Sequence, residues 1–203
     1  LEQMNRILLF MGLPIVTCMV YLTVYTPIIK DVITGTESNF QTSGGFGPNQ
    51  VATVFGLGMF VFFSRLLFES KSKLIMIVNM IIVFNISYRG LLTFSRGGMI
   101  TGFFMIIILL LIIYIKTNSA VKSKLNLMFI FLSIIMLVTW LYASNETEGL
   151  IEKRYANQDA SGRTKESQLS GREDIYKSEV NAFLASPVFG VGVAKGVEIR
   201  EAE

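Results

Sequence analysis

The sequence predicts an all-α fold: a polytopic bundle of about five transmembrane helices, followed by a large extracytoplasmic loop containing at least one helix of its own. Three observations lead there. The 203 residues are 52% hydrophobic and only 16% charged, with a mean hydropathy of +0.55, too apolar for a domain that meets water on all sides. Five apolar runs, at about 5–28, 50–68, 74–92, 97–115 and 125–143, have the roughly 20 residues that a helix needs to cross a hydrocarbon core. These runs are continuous rather than alternating, and lipid offers no partner to a backbone N–H or C=O, so each run must satisfy its own hydrogen bonds as a helix.

The first run, from Ile7 to Ile29, is longer than a signal-peptide core and ends at no small-residue cleavage site. Pro14 within it predicts a kink, and Gly56, Gly58 and Gly102 in later runs predict close helix contacts. Before the second run, Gly44, Gly45, Gly47 and Pro48 punctuate a turn, and Asn49 reads as the N-cap of a helix starting near Gln50. The loop from Glu69 to Lys73 carries Lys71 and Lys73, and the loop from Lys116 to Lys124 carries Lys116, Lys122 and Lys124; both are predicted to be cytoplasmic. Residues 30–49, the turn holding Arg89 and Arg96, and everything from Ser144 onward then lie on the outer face.

Residues 1–143 thus form the bundle and 144–203 the outer loop, which holds most of the charge. One helical turn is expected around Leu150 to Tyr155. Ser170 and Glu173 form a capping box that predicts a helix running to Ala185, stopped by Ser186-Pro187. On it, Tyr176, Val180, Phe183 and Leu184 make one apolar stripe suited to the bundle or the membrane interface. The turn from Phe189 to Gly196 is rich in glycine but lacks the preceding strand and the Gly-Lys-Ser/Thr ending of a P-loop.

The net charge of +3 is spread over loops with no basic run, which argues against nucleic acid and for membrane lipids or phosphate as partners. Cys18 has no second cysteine to pair with, and the absence of histidine removes both a zinc site and a histidine base, so no metal and no cofactor are expected. A first residue Leu1 and a last residue Glu203 in mid-loop are expected of a piece of a longer protein.

Candidate site residues follow from charge placed against its usual preferences. Arg89 and Arg96 sit close to the hydrocarbon boundary on the face that the positive-inside rule leaves poor in cations. Each either snorkels to headgroups, pairs with an acid, or faces a polar cavity. The helix start at Asn49 is either a plain cap or an anion-binding N-terminus. Arg172, in the first turn of the outer-loop helix, is either a solvated charge or a contact for an external anion.

Three motifs stand in order: Gly44-Gly-Phe-Gly-Pro-Asn-Gln50, Ser95-Arg-Gly-Gly98, and Ser170-Gly-Arg172 followed by Ser186-Pro-Val-Phe-Gly-Val-Gly192. Together, over about 40–196, they resemble the O-antigen ligase and Wzy-type O-antigen polymerase family of bacterial envelope glycosyltransferases, whose members are GT-C-like. The resemblance implies a multi-pass inner-membrane enzyme that moves a glycan from undecaprenyl pyrophosphate to lipid A core, another glycan or protein. It implies catalytic roles for Arg96 and Arg172 at the donor's pyrophosphate or the acceptor. Arg89, Ser95, Asn49, Gly190 and Gly192 are the accompanying substrate-binding candidates. The family's functional outer-loop histidine has no counterpart in these residues, which again implies an incomplete chain. Glu173, Asp174 and Glu179 are available as bases, and their spacing selects none.

Two other functions fit the same features. A transporter or flippase for a lipid-linked or anionic solute would also use outer arginines and glycine-broken helices, although no internal repeat and no acid within the spans supports it. A non-catalytic scaffold would use Tyr176, Val180 and Phe183 as an interface stripe.

Overall fold

The structure, a computed structural model, describes residues 2–69, 72–165, 172–192, 195, 196 and 198. It is helical throughout, with no β-strand among the described residues. The elements are α1 (Glu2–Tyr25), α2 (Ile29–Val32), α3 (Pro48–Glu69), α4 (Lys73–Leu91), α5 (Arg96–Ile115), α6 (Ser119–Glu146), α7 (Leu150–Tyr155) and α8 (Arg172–Ala185). Five of them, α1, α3, α4, α5 and α6, are long and apolar enough to cross a membrane. The chain forms two compact units, Leu1–Gly162 and Arg163–Glu203.

In the first unit α3 is the central helix, packed against α1, α4 and α5, while α6 leans on α4 and carries α7. Its Phe55, Met59, Val61 and Phe63 are sealed from solvent together with Leu22, Ile86, Ile106 and Leu110 of the surrounding helices. Short connections between α3, α4, α5 and α6 alternate their directions, so α3 and α5 run parallel and begin at the same end of the bundle. Between these two, Ala52 and Gly56 meet Gly98 and Gly102 backbone to backbone. A Cβ on Gly56, Gly98 or Gly102 would overlap main-chain atoms of the facing helix.

Several boundaries differ from the sequence reading. α3 begins at Pro48, whose missing N–H suits the first helical position, so Asn49 lies inside the first turn and is not the N-cap. The connection after α5 is short because α6 starts at Ser119; Lys122 rides on that helix, with its ammonium 5.0 Å from the Tyr114 ring. Arg89 is not a turn residue but part of the last turn of α4, and Arg96 is the first residue of α5, leaving Leu92–Ser95 as the connection. Pro14 lies inside α1, which remains one continuous helix.

In the second unit, α8 stops at Ala185, where Ser186-Pro187 was expected to stop it. Ser170, and with it the capping box, lies outside the described residues. Tyr176, Phe183 and Leu184 of the apolar stripe are exposed, and among the described side chains of α8 Ser178 is the buried one. Periodicity identified an apolar face without identifying what covers it.

Candidate functional site

The site is built around a connection that is short, polar and nevertheless buried. Leu92, Thr93 and Phe94 are fully inaccessible and Ser95 nearly so, which obliges every main-chain polar group there to find a partner. The N–H groups of Leu92, Thr93 and Phe94 close back onto the carbonyls of Tyr88, Gly90 and Leu91. Ser95 N–H donates to Thr93 Oγ1 at 3.2 Å. The three carbonyls turn outward, and each takes a donor from a distant segment. Thr42 Oγ1 donates to Leu92 O at 2.6 Å, Asn39 N–H to Thr93 O at 3.2 Å, and Arg154 Nε to Phe94 O at 2.9 Å.

Phe94 holds a left-handed φ of +57°, a conformation that costs a non-glycine residue about 1 kcal/mol or more and persists where the surroundings enforce it. Here its buried ring and its clasped carbonyl do so. The consequence is directional: reversing the chain in four residues delivers Ser95 and Arg96 to the start of α5.

The first long loop folds around Asn39 to reach this turn. Its Nδ2 donates to Val32 O at 3.1 Å, its Oδ1 accepts from Thr42 N–H at 3.0 Å, and its carbonyl accepts from Ser43 Oγ at 2.8 Å. α7 arrives from the other side. Arg154 is buried, and besides Phe94 it donates through Nη2 to Ser38 Oγ at 3.3 Å and pairs through Nη1 with Glu37 at 3.7 Å. Glu37 is largely exposed, so that ion pair contributes little; the hydrogen bonds in the interior carry the attachment.

Three of the sequence candidates come together. Ser95 Oγ donates to Asn49 Oδ1 at 2.7 Å, tying the first turn of α5 to the first turn of α3. Asn49 therefore bridges two helices. Arg96 is half-buried beside them and donates through Nη1 to Arg154 O at 3.4 Å. Two parallel helix N-termini thus stand in backbone contact with a guanidinium at their common end, a concentration of positive partial and full charge. Gly97, next to Arg96, is exposed, and a Cβ built on it would meet nothing within 4 Å.

Just below lies an apolar cavity of about 300 Å³, lined by Met59, Ser87, Met99, Phe103, Trp140 and Tyr155 among others. Met99 is three residues along α5 from Arg96, and Tyr155 follows Arg154 directly, so the cavity begins where the cationic end stops. The Tyr155 ring stands edge-on to Trp140 at 5.1 Å. Burial pushes the Tyr155 phenol up to about 12, against the opposing pull of the Arg96 and Arg154 charges, so at neutral pH it is a neutral donor and not a base.

The remaining candidates are not part of this group. Arg89 is buried; its Nη2 donates to Thr23 O in the last turn of α1 at 3.3 Å, and its guanidinium lies 5.8 Å from the Tyr88 ring centre. There it caps a helix C-terminus, where a cation is favoured. On this placement Arg89→Leu is expected to lower bundle stability by about 1–2 kcal/mol, the worth of a partly buried cation at a helix end. Activity per folded molecule should stay near wild type, and thermal unfolding beside an activity assay separates the two.

Arg172 opens α8 in the second unit, and its side chain is outside what the structure describes. Gly190 and Gly192 have φ of +68° and +100°, which accounts for glycine at both positions by backbone conformation. Arg154 and Tyr155 were not singled out from the sequence. Arg154 reads there as one more charge in a polar loop, and nothing local distinguishes it.

The sequence model of one protein family, described as O-antigen ligase, matches residues 81–203, more than half of the chain. The match takes in the end of α4, the buried turn, α5, α6, α7 and the whole second unit. No curated protein and no solved structure matches the chain.

Proposed function

The chain belongs to the O-antigen ligase family, and from that premise we propose that it carries the donor site of a glycosyltransferase that takes a glycan from undecaprenyl pyrophosphate at the outer face of the bacterial inner membrane. The acceptor is a lipid A core, a growing glycan or a protein. The observation that carries this reading is the junction at the head of α5. Arg96 and two helix N-termini stand at one edge of an apolar cavity of about 300 Å³, which matches a lipid whose tail is hydrocarbon and whose head is a pyrophosphate.

The orientation is supported by the lysines. Lys73, Lys116 and Lys122 lie at the opposite end of the bundle from Arg96, and lysine-rich ends face the cytoplasm.

In the reaction an acceptor hydroxyl oxygen forms a bond to the anomeric carbon as the bond from that carbon to the pyrophosphate oxygen breaks. The hydroxyl proton passes to a base, and the electron pair of the broken bond leaves with the polyprenyl pyrophosphate. Negative charge therefore grows on the leaving oxygen, and a guanidinium that grips phosphate through two parallel N–H groups stabilises that growth more than it stabilises the intact donor. Arg96 is assigned this role; Arg172, which opens α8 in the second unit, is proposed separately as a contact for phosphate or acceptor. Ser95 and Asn49 hold the two helix starts together and so fix the direction in which their free N–H groups point.

Membranes containing the full-length protein, supplied with a lipid-pyrophosphate donor and an acceptor, are expected to yield a new glycosidic product on a gel. A single step in size indicates one attachment, and a ladder indicates polymerisation. Movement of the donor between leaflets with no glycosidic product would replace this reading with a transporter.

The cavity gives a separate prediction. Met136, on α6, lines it away from Arg96, and Met136→Trp adds bulk there. The apparent KM for the donor should rise on the order of tenfold, equivalent to about 1.4 kcal/mol, with kcat nearly unchanged. An unchanged KM would remove the cavity from the donor site.

A further inference from the structure

We infer that Arg154 is a positioning residue for Arg96: it sets the place from which Arg96 meets an anion, without touching that anion itself. This rests on the donor-site reading of Arg96 and adds to it a residue on a different segment, far away in sequence.

The attachment runs in both directions along the chain. Through Nε, Arg154 holds the carbonyl of Phe94, the residue two before Arg96 and the one with the left-handed φ of +57°. Through its own carbonyl, it accepts from Arg96 Nη1. One residue therefore grips the backbone just ahead of Arg96 and the tip of the Arg96 side chain, which fixes both ends of a long, otherwise rotatable group.

The same guanidinium reaches Ser38 and Glu37 in the first long loop, so the grip is referred to a third segment. A planar group with separate Nε, Nη1 and Nη2 donors can serve three partners at once. A lysine offers a single nitrogen on a flexible stem and cannot reproduce the set.

Burial makes the arrangement specific. Arg154 is 7% exposed and Phe94 is 0% exposed, so without Arg154 the Phe94 carbonyl faces an apolar interior with its partner removed. The turn then relaxes toward an unstrained φ, and Arg96 loses its direction. The next residue, Tyr155, packs against Trp140 at the cavity, so α7 stays in place through the aromatic pair even when Arg154 is replaced. The expected defect is thus loss of aim at the head of α5 with the bundle intact.

The test uses the full chain in lipid nanodiscs with farnesyl pyrophosphate as the probe, comparing wild type, Arg96→Ala, Arg154→Ala, Arg154→Lys and the Arg96→Ala/Arg154→Ala double variant. Thermal unfolding is measured on each. Arg96→Ala is expected to weaken binding about tenfold to a hundredfold, the range of a lost charge-assisted contact. Arg154→Ala should weaken it about threefold to tenfold, and Arg154→Lys, which keeps the charge but offers a single nitrogen, should lie between.

The double variant decides between positioning and general stability. If Arg154 acts through Arg96, the double variant binds no more weakly than Arg96→Ala alone; independent effects would multiply. Multiplying losses, or Arg154→Lys and Arg154→Ala binding as wild type while Arg96→Ala does not, would overturn the positioning role and leave the donor site standing. Equal binding by wild type and Arg96→Ala would remove the donor site and the role of Arg154 with it.

Discussion

Gly98→Ala is expected to separate α3 from α5 and lose the native bundle. A methyl group at this position overlaps the backbone of Ala52 and Thr53, which has no rotamer by which to move aside. Overpacking of a tight interior ordinarily costs about 1–3 kcal/mol through shifted side chains, and a clash with main chain lies at or beyond the top of that range. The expected result is a sharp fall in the folded fraction after extraction, read as loss of the monodisperse peak and of the thermal transition. Gly97→Ala provides the contrast. Its Cβ would meet nothing within 4 Å, so the folded yield should match wild type. A stable Gly98→Ala protein would mean that the two helices do not approach as closely as described.

Arg96→Ala is expected to reduce glycan transfer by about a hundredfold to a thousandfold, or about 2.7–4 kcal/mol in the barrier, the range seen when one preorganised donor to a developing oxyanion is removed. Arg96→Lys should recover little. Lysine restores the charge but not the two parallel N–H groups, and its carbon stem cannot keep the bond to Arg154 O while reaching a phosphate. The side chain is only half-buried and starts a helix, so neither substitution should unfold the bundle.

The spans were legible because solvation alone dictates them: a run of apolar residues in lipid has helix as its only way to satisfy its backbone. The buried turn was legible as a place, from two arginines against the sorting rule, but not as a structure. Its stability comes from Thr42, Asn39 and Arg154, which are 50, 54 and 60 residues away from the carbonyls they serve, and no local pattern encodes such pairings.

Asn49 stands two positions further into the helix than the sequence suggests, because an asparagine ahead of an apolar run imitates a cap, whereas Pro48 already opens the helix. Gly98 does carry a local signal. Gly98 and Gly102 are four apart on α5, and Ala52 and Gly56 are four apart on α3, the spacing that lets two helices touch along one line. Arg154 carried none, since a buried clasp and a solvated charge look alike in a polar loop.

The central claim is that Arg96, at the joined starts of α3 and α5, holds the pyrophosphate of a polyprenyl-linked glycan as it leaves. The most direct measurement is single-turnover transfer in membranes containing the full-length protein, with wild type, Arg96→Lys and Arg96→Ala at matched folded amounts and saturating donor. A normal rate is expected for wild type and a loss on the order of a hundredfold or more in both variants, located in the transfer step. Transfer by Arg96→Ala at the wild-type rate would contradict it and leave Arg96 as an anchor at the membrane boundary.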